Sequence, residues 1–149
     1  MVYRFVCLFF ILIVPNISIV AQIVINEMMQ SNIDCLMDDK NDFPDSWIEL
    51  YNNSEHDINL HNFRLGISKK INETWAIPDT IIKSQGFLLI YCDKEKDASN
   101  NYHAPFRLDS GNNTCVYLFE GTKCIDCVEG LNRQPAPNIA YGRETHENT

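Results

Sequence analysis

The segment Asp45-Ser-Trp-Ile-Glu-Leu-Tyr51, followed at once by Asn52-Asn53-Ser54, decides the fold class of this chain. Successive side chains of a strand point to opposite faces, so the two aromatic residues of the segment share one face with Glu49, while Ile48 and Leu50 share the other. Asn-Asn-Ser is a turn-forming sequence that ends the run. The pattern therefore predicts a β-strand that buries one face in a core.

Similar runs recur on both sides of that segment, with Gly, Pro and Asn between them. They predict further strands over residues 22–29, 58–60, 63–67, 75–77, 87–92, 115–119, 124–128 and 138–141. Phe63, Leu65 and Ile67 are expected to point inward, and helical periodicity is nearly absent. Short strands at this spacing predict an antiparallel β-sandwich, in which the irregular stretches 30–44, 93–105 and 129–137 offer loops for binding.

The N-terminus has the pattern of a secretory signal. Arg4 precedes an unbroken apolar run over residues 5–14, and Ala21 is a small residue suited to cleavage before Gln22. The run is shorter than the roughly 20 residues that a helix needs to cross a bilayer, which favours a cleaved signal over a membrane anchor. We therefore expect a signal peptide over residues 1–21 and an exported, secreted or cell-surface/periplasmic protein with no stable membrane span.

The remaining chain has the length of one domain and a strongly acidic charge. The full sequence carries 20 acidic and 12 basic side chains, for a net charge of −8. Removal of residues 1–21 takes away Arg4 and leaves 128 residues with a net charge of −9. Phosphate backbones and anionic membranes are bound through Lys/Arg-rich patches, so this balance argues against nucleic-acid binding.

The predicted strands also resemble the lamin tail domain family, over about residues 22–144. In the order of the family, the resemblance is carried by Ile25-Asn-Glu27, Trp47-Ile-Glu-Leu-Tyr-Asn52, residues 60–65, Trp75-Ala-Ile-Pro78, Gly86-Phe-Leu-Leu-Ile-Tyr91, Phe106-Arg-Leu-Asp-Ser-Gly111, Val116-Tyr-Leu-Phe119 and Tyr141-Gly-Arg143. The chain departs from the family at His61-Asn62-Phe63, where a small residue, Gly and Trp are usual, and in the cysteines of residues 123–128. The resemblance predicts a domain over residues 22–144, with 145–149 as a tail or the start of a linker.

The resemblance implies an immunoglobulin-like β-sandwich that acts as a non-enzymatic interaction module. Members form the globular tail of nuclear intermediate-filament proteins in animals. In bacteria and archaea they occur on exported proteins, often beside nucleases, phosphatases or spore-coat-type kinase domains. A signal peptide directly before the domain is similar to this exported type, and the resemblance implies no catalytic residue and no cofactor.

Three functional hypotheses follow. The first is an exported, non-catalytic binding module for a protein or cell-envelope partner. Its interaction candidates are Trp47 and Tyr51, although core packing is the favoured role of Trp47. The second is an accessory domain of a larger exported enzyme, whose further domains are missing from this sequence. The third, which the acidic charge disfavours, is nucleic-acid binding by analogy with the nuclear relatives.

The five cysteines that remain after removal of the signal peptide are Cys35, Cys92, Cys115, Cys124 and Cys127. A structural zinc site needs four ligands, and the chain contains a single Cys-x-x-Cys pair. A hairpin that turns at residues 121–122 places Phe119 opposite Cys124 and Val116 opposite Cys127. No two cysteines of this hairpin are then placed for a disulfide bond. Three interpretations of these cysteines stay open, namely unpaired thiols, a disulfide with Cys35 or Cys92, and a metal or redox site.

Residues 34–45 form a loop with five carboxylates, which suggests a cation site. Calcium takes six to eight oxygen ligands, and the candidates are Asp38, Asp39 and Asp42. The spacing does not match the calcium loop of helical hand proteins, so we favour a solvated acidic loop without a metal ion, and calcium binding is the alternative.

Two glutamates and four histidines are the remaining candidates for chemistry. Glu27 and Glu49 lie in the middle of predicted strands, where we expect partly exposed sheet positions or hydrogen bonds to a loop rather than a glycosidase pair. The histidines are scattered in predicted loops and show no ligand spacing. Asn52, Asn72 and Asn112 head glycosylation sequons, which matter in a host that glycosylates secreted proteins.

Overall fold

In a computed structural model, which describes residues 21–94, 102–108, 114–131 and 136–144, short strands make up a little under half of the described residues. In chain order the strands are β1 (Ile23–Met29), β2 (Trp47–Asn52), β3 (Ile58–Asn59), β4 (Phe63–Gly66), β5 (Trp75–Ala76), β6 (Ile81–Ile82), β7 (Phe87–Cys92), β8 (His103–Ala104), β9 (Thr114–Glu120), β10 (Lys123–Leu131) and β11 (Ala140–Gly142). A 3-10 turn spans Ile71–Glu73. The predicted signal peptide lies outside the described residues, except for Ala21.

The strands form two main sheets and one small pair. A five-stranded sheet has the order β11-β1-β2-β7-β8, a four-stranded sheet has the order β10-β9-β4-β5, and β3 pairs with β6. The two main sheets bury one shared apolar core, so the predicted all-β sandwich is confirmed. Within the described ranges, no helix is long and apolar enough to span a bilayer.

One strand pair departs from the antiparallel arrangement that the sequence predicts. β7 and β8 run parallel, with Tyr91 opposite His103 and Cys92 opposite Ala104. β8 lies in the stretch 93–105, which we expected to be irregular, because a strand of two residues is too short to show alternation. This pairing brings a histidine from a predicted loop onto the edge of the five-stranded sheet.

The core lies between the two sheets and follows the alternation of the sequence. Ile48 and Leu50 of β2 are fully buried, as are Val116 and Leu118 of β9 in the opposite sheet. Fully burying a side chain of this size stabilises the fold by about 1.5–3 kcal/mol relative to exposure. These residues of β2 and β9 belong to the one core cluster that the two sheets share.

The inward orientation predicted for Ile67 is wrong, since 46% of this residue is exposed. β4 ends one residue earlier, at Gly66, where the chain passes close to Thr74. A Cβ atom at Gly66 would lie 2.9 Å from Thr74 Cγ2, so this close approach requires glycine. The bend that follows turns Ile67 away from the core.

The loop between β1 and β2 connects two strands of the five-stranded sheet, and hydrogen bonds of Asn32 hold it together. The amide nitrogen of this side chain donates to the carbonyl oxygens of Leu36 and Pro44, each at 2.8 Å. Its Oδ1 accepts hydrogen bonds from the backbone of Cys35 and Leu36. The backbone N–H of Asn32 also donates to Asp45 at 3.0 Å. These bonds close residues 32–45 into a defined loop, which we call the acidic loop.

Candidate functional site

Asp38 organises the tip of the acidic loop. Its Oδ1 accepts hydrogen bonds from the backbone N–H groups of Lys40 and Asp42, each at 2.9 Å. The backbone N–H of Asp38 donates to the Asp42 carbonyl at 2.8 Å, and Asn41 takes a positive φ of 62° that closes the turn. The Asp38 side chain is only 2% exposed, so the loop holds a carboxylate in a buried and fixed position.

His103 lies opposite this carboxylate on β8, and its side chain is 1% exposed. One ring nitrogen, Nδ1, is 2.7 Å from Asp93 Oδ2. An ionised carboxylate only accepts hydrogen bonds, so Nδ1 carries the proton of this contact. The other nitrogen, Nε2, lies 3.8 Å from Asp38 Oδ2 and 3.9 Å from Asp39 Oδ1. The imidazole is therefore oriented by one carboxylate and faces two others.

Tyr91 covers one side of this cluster. Its ring centroid is 4.9 Å from that of His103, and the two rings are tilted by 38°. Burial raises the pKa of Tyr91, and the negative charges of Asp38 and Asp39 raise it further. An open depression of about 210 Å³ adjoins the cluster, and the acidic loop and Asp93 line it. Within the described residues, the Asp38, Asp93 and His103 side chains place ligand atoms within 4.8 Å of one another.

The calcium candidates of the acidic loop take different positions. Asp38 is buried beside His103, whereas Asp39 is 57% exposed at the rim of the same cluster. Asp42 Oδ1 accepts a hydrogen bond from the backbone of Phe43 at 2.8 Å, within its own turn. The sequence showed no sign that Asp93 and His103 join the site, because they reach it through the parallel pairing of β7 with β8.

The two interaction candidates also differ in exposure. Trp47 is 8% exposed, and its Nε1 is buried with no hydrogen-bond acceptor among the described residues. Tyr51 is half-buried, stacks on Phe87 with ring centroids 4.7 Å apart, and donates its hydroxyl hydrogen to Gln85 Oε1. Phe87 is 58% exposed. Of the two candidates, Tyr51 is the one that is partly exposed to solvent.

The Cys-x-x-Cys pair lies on a bulged part of β10. Cys124 pairs with Phe119 as predicted, but the register shifts after it, so that Cys127 pairs with Tyr117 rather than with the predicted Val116. Both cysteines thereby lie on the outer face of the sheet, where both are exposed. Partial burial raises the pKa of Cys124, and the nearby Cys127 raises it further. Along β10, the bulge brings together two thiols that a regular strand would separate.

The other cysteines lie apart from this pair. Cys35 is exposed in the acidic loop, and Cys92 is fully buried at the end of β7. Both carry free thiols, as do the two cysteines of β10. Cys115 shares a hydrogen bond with Tyr117 on the outer face of the four-stranded sheet.

Glu27 and Glu49 lie directly opposite each other on β1 and β2, and both are half-buried. Glu49 Oε1 accepts a hydrogen bond from Asn26 Nδ2 at 2.7 Å. Among the glycosylation sequons, Asn52 is fully buried and Asn72 is exposed. Asn112 lies outside the described residues.

Comparison of the chain with protein-family models and with curated proteins returned no match. The resemblance to the lamin tail domain therefore stays a prediction, carried by the strand residues quoted above.

Proposed function

We propose that this protein is an exported, non-catalytic binding module of the lamin tail type, and that it binds a protein partner of the cell envelope or surroundings. The observation that carries the proposal is the exposed aromatic pair Tyr51–Phe87 on the outer face of the five-stranded sheet. Leu89, which lies opposite Glu49 and is half-buried, extends the apolar strip along the same face. We call these three residues the aromatic strip.

The exposure of the aromatic strip supports binding rather than packing. Aromatic residues are enriched in protein–protein interfaces and supply much of their binding energy. Tyr51 and Phe87 form a stacked pair, so their rings are already ordered and lose little conformational freedom when a partner binds. Their place on a rigid sheet rather than on a loop favours a defined contact geometry.

The charge of the chain indicates the chemistry of the partner. The net charge is −8, and Glu27 and Glu49 lie beside the aromatic strip. A surface with an apolar centre and acidic neighbours is complementary to a protein that presents an apolar side chain flanked by lysine or arginine. Polyanions such as nucleic acids would be repelled.

Affinity capture with the purified protein tests this proposal. Immobilised wild-type protein is exposed to solubilised envelope and culture fluid from the native source, and the retained proteins are identified. We expect a specific protein to be retained in a salt-sensitive manner and to be lost when Tyr51→Ala and Phe87→Ala are combined. The matched control is Ile67→Ala, because Ile67 is an exposed apolar residue outside the aromatic strip. Equal retention by the double variant and the wild type would contradict the proposal.

A further inference from the structure

We propose that His103, Asp38 and Asp39 form a binding site for a divalent transition-metal ion of the Zn²⁺ type. The ion would fasten the acidic loop to the edge of the five-stranded sheet. This site lies on β8 and the acidic loop, apart from the aromatic strip, so the proposal stands independently of the binding function.

The spacing of the three groups suits a metal ion better than a hydrogen bond. His103 Nε2 is 3.8 Å from Asp38 Oδ2 and 3.9 Å from Asp39 Oδ1, beyond the roughly 3.2 Å of a good hydrogen bond. In tetrahedral zinc sites the ligand atoms lie about 2.0–2.2 Å from the metal and therefore about 3.4 Å from one another. A small movement would bring Nε2 and Asp38 Oδ2 to this separation, and the exposed Asp39 side chain can rotate to bring its Oδ1 to the same ion.

The burial of Asp38 argues for a cation at this position. Its Oδ1 is occupied by two backbone N–H groups, whereas no described residue donates a hydrogen bond to Oδ2, which faces His103 Nε2. Buried acidic side chains in proteins are usually paired or coordinate a metal, and the Asp38 side chain is only 2% exposed. A metal ion between Asp38 and His103 would supply such a partner.

Asp93 completes the arrangement as a positioning residue. Its hydrogen bond to Nδ1 at 2.7 Å fixes the ring orientation and the tautomer, and directs the Nε2 lone pair towards Asp38 and Asp39. Metal-binding histidines in proteins almost always have a carboxylate, a carbonyl or water at the second nitrogen, because this partner orients the ring and raises its basicity. The neighbouring Tyr91 ring shields the same histidine from water on one side.

The ligand types select the class of ion. One imidazole nitrogen with carboxylate oxygens suits zinc and related first-row metals. Calcium takes oxygen ligands in a shell of six to eight, and an imidazole nitrogen does not fit that shell. The site therefore differs in chemistry and in residues from the calcium site suggested by the acidic loop alone.

Zinc titration of the metal-stripped protein by calorimetry tests the site. Thiols compete for zinc, so the titration uses a Cys124→Ser/Cys127→Ser background. We expect one equivalent of zinc to bind, with an affinity that falls about tenfold or more in His103→Gln and in Asp38→Asn. Asp38→Asn keeps the Oδ1 that accepts the two backbone hydrogen bonds, so it removes the ligand while preserving the turn. Asp42→Asn is the matched control from the same loop, and its affinity should stay within about twofold of the wild type.

Three results would overturn the proposal. The first is the absence of zinc binding, and the second is a zinc affinity of Asp38→Asn equal to that of the background protein. The third is a Co²⁺ spectrum that shows the absorption of thiolate ligands. Thermal unfolding of each variant without metal shows whether it is folded. If His103→Gln is unfolded, Asp38→Asn and the Co²⁺ spectrum decide the outcome.

Discussion

Asn52 shows how much a single buried polar side chain holds together in this sandwich. Its Nδ2 donates to the carbonyl oxygens of His56 at 2.7 Å and of Ile82 and Lys83 at 3.1 Å. Its Oδ1 accepts from the backbone and the hydroxyl of Ser54. The residue is fully buried, so these bonds replace the water that its side-chain amide would otherwise bind. Asn52 thereby joins the end of β2 to the following turn and to β6.

Replacement of Asn52 by Ala should lower the free energy of unfolding by about 1–3 kcal/mol, because it leaves buried carbonyl groups without a donor. Urea denaturation followed by circular dichroism measures the change. Asn53→Ala is the matched control, since the neighbouring side chain is exposed, and its effect should stay within about 0.5 kcal/mol. Equal effects of the two substitutions would show that the Asn52 network adds little.

The cysteines should differ in reactivity because their surroundings differ. Burial raises the pKa of Cys92 well above its usual value, and the nearby Asp93 raises it further, whereas Cys35 and Cys127 are exposed. Thiolates are the reactive form, so Cys92 should resist a thiol reagent in the folded protein and react after unfolding. Mass spectrometry of peptides labelled before and after unfolding measures this. Rapid labelling of Cys92 in the folded state would contradict the burial that the structure assigns to it.

At the level of elements, bulges decide how the edges of the two sheets meet. β10 is bulged between Cys124 and Asp126, and β1 is bulged between Ile25 and Glu27. Asp126 Oδ2 accepts a hydrogen bond from the Ile25 backbone at 2.8 Å, next to the bulge of β1. The guanidinium of Arg143 bonds both oxygens of Asp126, at 2.9 and 2.7 Å. A carboxylate of one sheet thus satisfies the backbone of the other, and the segment after β11 holds it in place.

Asp126→Ala should destabilise the fold by about 1–3 kcal/mol, because it leaves the Ile25 N–H without its acceptor at the sheet edge. The ion pair with Arg143 contributes less, since the Arg143 side chain is 44% exposed. Urea denaturation measures the decrease in the free energy of unfolding. Glu73→Ala, which removes an exposed ion pair with Lys70, is the control and should cost less than about 1 kcal/mol. Equal losses would mean that Asp126 acts as an ordinary surface charge.

At the scale of the whole molecule, two sheets share one core, and their surface carries an excess of negative charge. The formal charge of −8 produces repulsion across a small sandwich, which favours expanded states. Exposed ion pairs reduce this repulsion only around the side chains that form them. A hydrogen bond from Lys83 lowers the pKa of Asp57, and one from Lys69 lowers the pKa of Glu129.

Stability should decrease in acid because these carboxyls have lower pKa values in the folded state than in the unfolded chain. Their contribution is present above about pH 4.5, the value of an unperturbed carboxyl, and is lost as the pH falls through the folded pKa. The midpoint of thermal unfolding should therefore fall as the pH drops below about 4.5. The fall should be smaller in an Asp57→Asn/Glu129→Gln double variant. An unchanged pH profile in that variant would show that other groups cause the acid sensitivity.

Alternation in the sequence predicts the main strands because burial of one face imposes a period of two on the residues themselves. Ile48, Leu50 and Leu118 lie in the core for this reason. Alternation gives little sign of a strand of two residues, and β6 and β8 were missed. β3 and β5 are equally short, and they were predicted from their apolar residues and the breaks in the sequence that follow them. It also does not show bulges, so the partner of Cys127 was predicted one residue away from its true position.

The sequence by itself determined that this chain forms a β-sandwich and that its charge is strongly acidic, since both follow from the order and the type of side chains. The tertiary structure decided which residues meet. Asp38 and Asp39 are separated from His103 by more than 60 residues, and the parallel pairing of β7 with β8 brings them together. The same structure buries Trp47 and leaves Tyr51 accessible beside Phe87. Contacts between distant segments depend on register and loop path, which local periodicity does not encode.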